Sequence, residues 1–219
     1  GIDFEVKSHE QRIRKLGENG EPLANHTFRM SYINKVDENG ILSGDANNNV
    51  WDYVTGSDGY TPYDSWNNEG QTVYVQEIDA KAPYLINKEI KSFVVESGAE
   101  TTMTFTNQKA QWQYSIFKQD EHGKGIVVTF DVYDDANNHT GTITTGADGK
   151  YTSAKLPLGS VTLIEKSAPA GIVLDKTPIK LTGTYKDQHT AVVLVSKNIT
   201  NNYRDFDVTL TKVEDESDP

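Results

Sequence analysis

The 219-residue sequence contains no cysteine. This absence excludes disulfide bonds, thiolate metal sites and cysteine nucleophiles together. Small secreted domains usually depend on disulfides when their hydrophobic core is thin. If this chain is extracellular, some other constraint must therefore stabilise it.

Basic clusters and long hydrophobic runs are also absent. The chain has 21 Lys and Arg against 32 Asp and Glu, which gives a net charge of −11. Because no stretch concentrates basic residues, a nucleic-acid partner is excluded. No run approaches the ~20 apolar residues of a membrane span, so we expect no membrane insertion. Aromatic residues make up 10% of the chain, which is too many for a disordered polypeptide.

Histidines at metal-ligand spacing are lacking as well. The chain has five histidines, and we interpret all of them as solvated loop residues: His9, His26, His122, His139 and His189. Asp45-x-Asn47-x-Asn49 begins a calcium-loop spacing, but Val50 stands where that loop requires Gly. The sequence therefore predicts no metal, no cofactor and no enzyme with turnover.

Alternation with period two dominates what is present. The predicted strands are rich in Val, Ile, Thr and aromatic residues and cover 101–107, 114–118, 126–133, 141–145, 160–165, 190–200 and 206–212. Turn dipeptides separate the segments, at Asn39-Gly40, Asp58-Gly59, His122-Gly123 and Asp148-Gly149. Only 86–92 could form a helical turn. This pattern predicts an all-β fold of antiparallel β-sandwiches.

Comparison of the chain with itself reveals two copies of one pattern. Lys15 and Lys118 each precede a turn glycine by five positions, and "GSDGY" (56–60) matches "GADGK" (146–150). The segment 69–83 matches 158–169, which aligns Glu77 with Glu165 and places Ala-Pro after both. "TFTN" (104–107) matches "NITN" (198–201) and aligns Asn107 with Asn201.

The repeat sets the expected domain boundaries. We predict two tandem domains at 8–110 and 111–204. Residues 1–7 are interpreted as the tail strand of a preceding repeat or as the start of the fragment. The eleven-residue spacing from Asn107 to Lys118 recurs from Asn201 to Lys212, so 205–219 is interpreted as the start of a third repeat or as a linker. The chain is thus expected to be part of a longer secreted protein.

Both copies carry the same ordered motif. It runs K-x-x-x-x-G, then D-G, then a strand ending in Glu followed by Ala-Pro, then a last strand ending Thr-Asn. This order resembles the CnaB-type (prealbumin-like, SpaA-type) domains of Gram-positive surface adhesins and pilins. The resemblance implies an intramolecular isopeptide bond between Lys and Asn, promoted by a buried Glu. By position it implies bonds Lys15–Asn107 and Lys118–Asn201, with Glu77 and Glu165 as the promoting acids.

The chemistry suits these side chains once they are buried. A lysine desolvated in an apolar core has a depressed pKa, so its neutral amine becomes a nucleophile. A glutamic acid in the same core can hold a proton, hydrogen-bond the asparagine amide and shuttle protons as ammonia leaves. The product amide would supply the constraint that a cysteine-free extracellular module lacks.

Two assignments have competitors. The first copy has two more residues between Glu77 and Ala-Pro than the second copy, so Asp79 competes for the role of the acid. At the end of the second copy, Asn198 and Asn202 compete with Asn201. Strand alternation puts Asn198 on the face opposite Asn201.

The segment 44–69 is interpreted as an insertion without a counterpart in the second copy. It holds five aromatic residues, Trp51, Tyr53, Tyr60, Tyr63 and Trp66, beside several asparagines. Aromatic rings with amides suit a sugar or peptide ligand. The alternative is a loop that packs over the end of the sandwich.

These observations favour a structural function. We expect stalk modules of an extracellular, cell-wall-anchored Gram-positive adhesin or pilin, monomeric and in contact with neighbouring repeats of the same chain. The alternative is a module that binds a host glycan or matrix protein through the aromatic segment.

Overall fold

The computed structural model describes residues 9–47 and 49–212, and it contains strands but no helix within those ranges. The strands are β1 (Glu10–Gly17), β2 (Thr27–Ser31), β3 (Val50–Val54), β4 (Thr72–Asp79), β5 (Ile90–Val94), β6 (Glu100–Asn107), β7 (Gln111–Asp120), β8 (Thr129–Tyr133), β9 (His139–Thr144), β10 (Lys150–Thr152), β11 (Leu156–Pro157), β12 (Gly159–Ser167), β13 (Ile179–Gly183) and β14 (Val192–Asn201). The all-β prediction is confirmed. The segment 1–7, interpreted above as a possible tail strand, lies outside the described residues.

The chain divides into two compact units, one built mainly from residues up to Trp112 and one mainly from residues after it. In the first unit, β1 and β6 pair in parallel, with Lys15 opposite Phe105 and Gly17 opposite Asn107. The other four strands form an antiparallel sheet in the order β3-β2-β4-β5. One core cluster joins residues of both sheets: Ile13, Phe28, Met30, Val73, Val75, Val95 and Phe105.

The second unit has the corresponding sheets. Strand β7 pairs with β10, β11 and β14, and the antiparallel sheet has the order β13-β12-β8-β9. Phe28 faces Glu77 across β2 and β4, and Phe130 faces Glu165 across β8 and β12. This shared register places the glutamates at equivalent positions of the two units.

Two sequence interpretations are corrected by these strands. Residues 44–69 are not an insertion without counterpart, because β3 pairs with β2 as β9 pairs with β8. The difference in length lies instead in the connection before β3, which covers 32–49 against 134–138 in the second unit. The predicted strand at 206–212 is not formed, and Phe206, Val208 and Leu210 are exposed. Alternation gives that segment a strand pattern, but no other described strand pairs with it.

Within the described residues no helix is long and apolar enough to cross a membrane.

Candidate functional sites

Lys15, Glu77 and Asn107 meet in the core of the first unit, and all three side chains are buried. Lys15 Nζ donates a hydrogen bond to Asn107 Oδ1. The same Nζ lies 3.2 Å from Glu77 Oε1. Asn107 Nδ2 donates to both carboxyl oxygens of Glu77, at 3.0 and 2.9 Å. An amine, an amide carbonyl and a carboxyl group are therefore in mutual contact away from water.

The second unit repeats this arrangement with Lys118, Glu165 and Asn201, which are also buried. Lys118 Nζ donates to Asn201 Oδ1 and lies 2.9 Å from Glu165 Oε1. Asn201 Nδ2 donates to Glu165 Oε2 at 2.6 Å and to the Val173 carbonyl at 3.0 Å. We call these two sets of residues the first triad and the second triad.

The recurring Asp-Gly turns fix the backbone of each lysine. Lys15 N donates to the Gly59 carbonyl at 2.7 Å, and Lys118 N donates to the Gly149 carbonyl at 2.7 Å. Both glycines have positive φ, 80° and 78°, and a Cβ at either position would collide with the carbonyl oxygen of the lysine. Glycine is therefore required here for both the conformation and the close approach. This requirement explains why "GSDG" and "GADG" recur in the sequence.

Burial sets the protonation of both lysines. Loss of solvation lowers the pKa of Lys15 from 10.5 to about 8, although Glu77 opposes the shift by its charge and hydrogen bond. Desolvation also lowers the pKa of Lys118, again opposed by its glutamate. Each amine is therefore more readily available as a neutral nucleophile than an exposed lysine would be.

The first triad has a neighbour that sequence reasoning missed. His26 is 1% exposed, so its interpretation as a solvated loop residue is wrong. Its Nδ1 makes a hydrogen bond of 2.8 Å with Glu77 Oε1. The backbone N–H of Asn87 donates to Glu77 Oε2 at 2.7 Å. A repeat comparison extended to β2 would align Thr27-Phe28 with Thr129-Phe130 and would place His26 opposite Val128.

The second triad lacks the imidazole. Val128, completely buried, occupies the position of His26, and the backbone N–H groups of both residues donate to equivalent threonines, Thr145 and Thr55. The backbone N–H of Asp175 donates to Glu165 Oε2 at 3.0 Å. Among the residues described, no imidazole or amide donates to Glu165 Oε1.

The competing residues lie elsewhere. The Asp79 side chain is 40% exposed and pairs with Lys81. Asn198 and Asn202 are exposed, whereas Asn201 is buried against Lys118. The structure thus brings Glu77 and Asn201 into the triads and leaves all three competitors outside them.

A pocket lies beside the asparagine of each triad. In the first unit it has a volume of about 310 Å³ and is lined by residues 85–88 and 106–108. In the second unit it has a volume of about 420 Å³, and its lining includes residues 173–175 and 200–203. Each of these pockets therefore has the asparagine of its triad in its lining.

The aromatic residues of 44–69 are mostly engaged in packing and hydrogen bonds. Trp51 Nε1 donates to Asp64 at 2.8 Å, and Tyr53 is half-buried. The Arg12 guanidinium lies over the rings of Tyr60 and Tyr63, at 3.9 and 4.5 Å. Only Trp66 of this group is fully open to solvent, with 89% of its surface exposed.

No group of three or more His, Cys, Asp or Glu residues in the described part of the chain could hold a metal ion. In the Asp45 loop, Asn49 Nδ2 donates to the Asp45 carboxylate at 3.0 Å. That carboxylate thus serves to close its own turn.

Comparison with known protein families identifies the class of domain to which the two units belong. The profile of the SpaA family, described as a prealbumin-like fold domain, matches residues 9–109 and again residues 113–198. The chain belongs to this family, and the resemblance inferred from the sequence motif is confirmed.

Among solved structures, one aligns closely enough to show the same fold. The Bacillus anthracis TIE protein aligns with a TM-score of 0.63 and 21% identity, over 90% of this chain and 34% of that chain. The present chain therefore spans about one third of that protein. A Streptococcal ancillary pilin aligns with 19% identity and a TM-score of 0.40, over 92% of this chain and 64% of that one. The C-terminal fragment of pilus adhesin SpaC from Lactobacillus rhamnosus GG aligns with 13% identity and a TM-score of 0.48, over 92% and 100% of the two chains. No curated protein matches the sequence.

Proposed function

We propose that this chain forms two stalk modules of a Gram-positive surface adhesin or pilin, each closed by an intramolecular Lys–Asn isopeptide bond. The observation that carries the proposal is the recurrence of one buried triad in both units, with each lysine amine against the carbonyl oxygen of its asparagine. A lysine, a glutamate and an asparagine are costly to bury together unless they are paired, and two such sites in one chain call for a function. The proposed location is the extracellular surface, with the chain anchored to the cell wall as part of a longer protein.

The proposed reaction is a single acyl transfer. The Lys15 ammonium passes one proton to Glu77, and the neutral amine attacks Cγ of Asn107. A new Cγ–Nζ bond forms and the Cγ–Nδ2 bond breaks. Glu77 gives that proton to the departing nitrogen and then takes the surplus proton of the newly bonded Nζ, so Glu77 ends protonated. The products are an amide and one ammonia, which leaves through the neighbouring pocket. Lys118, Glu165 and Asn201 perform the same step in the second unit.

Each unit reacts once and only on itself, so the proposal describes no enzyme with turnover. The bond would join β1 to β6 across 92 residue positions in the first unit. In the second unit it would join β7 to β14 across 83 positions. Force applied along the chain would then load a covalent bond in place of hydrogen bonds between strands.

Intact mass under denaturing conditions tests the chemistry. We expect the purified chain to be lighter than its sequence by two ammonias. Lys15→Met and Lys118→Met retain a long apolar side chain at each position but remove the amine, so each variant should lose one ammonia fewer. A wild-type mass equal to the sequence would overturn the cross-linking proposal.

Single-molecule pulling tests the stalk role separately. With both bonds present, neither closed loop can extend. The Lys15→Met variant should release the residues between β1 and β6, a gain of about 300 Å at ~3.4 Å per residue. A wild-type chain that already shows this extension would contradict the stalk role even if the mass deficit were present.

A second candidate function is ligand binding by the segment 44–69, and Trp66 favours it because a large apolar ring is exposed there. Indole rings commonly provide the stacking surface for sugars or peptides. The Trp66→Ala variant should lose binding to an immobilised host glycan or matrix protein while its thermal stability stays the same. Trp51→Phe is the matched control for the packed indole. Equal binding by the wild type and Trp66→Ala would exclude this candidate.

A further inference from the structure

The two triads differ in what holds their glutamate. In the first, groups outside the triad bind both carboxyl oxygens: His26 Nδ1 is hydrogen-bonded to Oε1 at 2.8 Å, and the Asn87 N–H donates to Oε2 at 2.7 Å. In the second, the Asp175 N–H donates to Oε2, and buried Val128 stands at the chain position that corresponds to His26.

The orientation of the acid toward the amide differs accordingly. Both oxygens of Glu77 accept from Asn107 Nδ2, so the carboxyl group faces the leaving nitrogen squarely. Only one oxygen of Glu165 accepts from Asn201 Nδ2, which divides its donation between Glu165 and the Val173 carbonyl. Glu77, with lateral hydrogen bonds at both oxygens, thus presents its carboxyl group more squarely to the leaving nitrogen than Glu165 does.

We infer that His26 is a positioning residue for cross-linking in the first unit, an inference that rests on the proposed function. Its Nδ1–H donates to Glu77 Oε1 and keeps the acidic proton of Glu77 on Oε2, which lies 2.9 Å from Asn107 Nδ2. As the Cγ–Nδ2 bond breaks, that proton moves to the leaving nitrogen. His26 transfers no proton itself, and its ring acts through its hydrogen bond to Glu77.

The imidazole is itself held in place. The His26 backbone N–H donates to Thr55 Oγ1, and its ring meets the Tyr84 ring edge-on with centroids 6.1 Å apart. The titratable groups that face the ring are Glu77 and Tyr84, with Lys15 beyond the shared Glu77 oxygen. A fixed donor can orient a reacting group because no reorganisation is needed during the reaction.

The experiment exchanges the two positions and times both units in the same chain. Cell-free synthesis is stopped and samples are quenched in denaturant at intervals. Unit-specific peptides then report the loss of ammonia around Asn107 and around Asn201. We expect wild-type chains to lose ammonia faster in the first unit. His26→Val should slow that unit about tenfold or more, and Val128→His should accelerate the second unit.

A further variant separates positioning from folding. His26→Asn keeps an N–H donor near the position of Nδ1, so it should restore most of the rate that His26→Val loses.

The outcomes distinguish the role of His26 from the cross-linking reaction itself. Equal rates for wild type and His26→Val, with both units still losing ammonia, would overturn the role of His26 alone. Slow reaction in both His26→Val and His26→Asn would make His26 merely structural. Chains in which neither unit ever loses ammonia would overturn the proposed function itself.

Discussion

The first and second triads present the same three reactive groups in different surroundings. Both have a lysine amine against an asparagine carbonyl and a glutamate within 3.2 Å of the amine. Around them, His26 in one unit corresponds to Val128 in the other. The groups that recur in both triads are those that the proposed reaction needs. The position that differs, His26 or Val128, is expected to adjust its rate.

The elements that recur extend beyond the triad to its backbone support. Each lysine is fixed by the carbonyl of an Asp-Gly turn, and each glutamate accepts a backbone N–H from the segment ten residues after it. Chain regions far apart in sequence therefore converge on one carboxyl group in both units. This convergence is what positions an amine against an amide before any bond forms.

The largest effect is expected on thermal stability. A cross-link that closes a loop of about 90 residues stabilises by about 4–5 kcal/mol if it acts mainly on the unfolded chain, as a disulfide does. Lys15→Met should therefore lower the melting temperature of the first unit by ~20 °C or more. Lys118→Met should lower that of the second unit by a similar amount, because the two loops are of similar length. Calorimetry that resolves both transitions would check this, and unchanged transitions in both variants would contradict it.

A moderate effect is expected on the pH dependence of a chain that cannot cross-link. Asn107→Ala leaves Lys15 as a free amine whose pKa is about 8 in the folded unit against 10.5 unfolded. Between these values the unfolded chain binds more protons, so stability should rise as pH increases from about 8 to 10.5. Urea denaturation at pH 8 and pH 10 measures the rise. Asn107→Ala combined with Lys15→Met should lack it, and an equal rise in that double variant would assign it to other groups. The same sign is expected for Asn201→Ala, because the pKa of Lys118 is lowered in the same direction.

The smallest effect is expected at the competing acid. Asp79 is half exposed and pairs with Lys81, and such surface pairs contribute about 0–1 kcal/mol. Asp79→Asn should keep the mass deficit of the first unit and change its stability little. Glu77→Gln, the matched change at the buried acid, should abolish that deficit. Loss of ammonia that depends on Asp79 and not on Glu77 would reverse the assignment.

Strand alternation and the internal repeat together predicted much of the fold and the triads. The two-residue period of a strand specifies which side chains share a face. It predicted that Asn201 and Asn198 lie on opposite faces of the last strand. A single Lys, Glu or Asn does not indicate a buried site, because each is usually exposed. Their repetition at matched positions of the two copies did indicate one. The aligned positions of Lys15 and Lys118 proved equivalent in space.

The remaining features depend on partners that a linear pattern does not contain. In the sequence His26 lies in a segment that resembles a loop. Only the register of β2 against β4 brings it to Glu77. The pattern at 206–212 is that of a strand, yet a strand also requires a neighbour to pair with. Likewise β3 shares little sequence with β9, and its equivalence is visible only from its pairing with β2.

Peptide mapping of the digested, denatured protein would test the central claim most directly. The account predicts two branched peptides, one joining Lys15 to Asn107 and one joining Lys118 to Asn201, each lighter by one ammonia than its two linear components. Linear peptides with free Lys15 and Lys118 and intact Asn107 and Asn201 would contradict the account. A branch at Asn198 or Asn202 would contradict the assignment of the second triad.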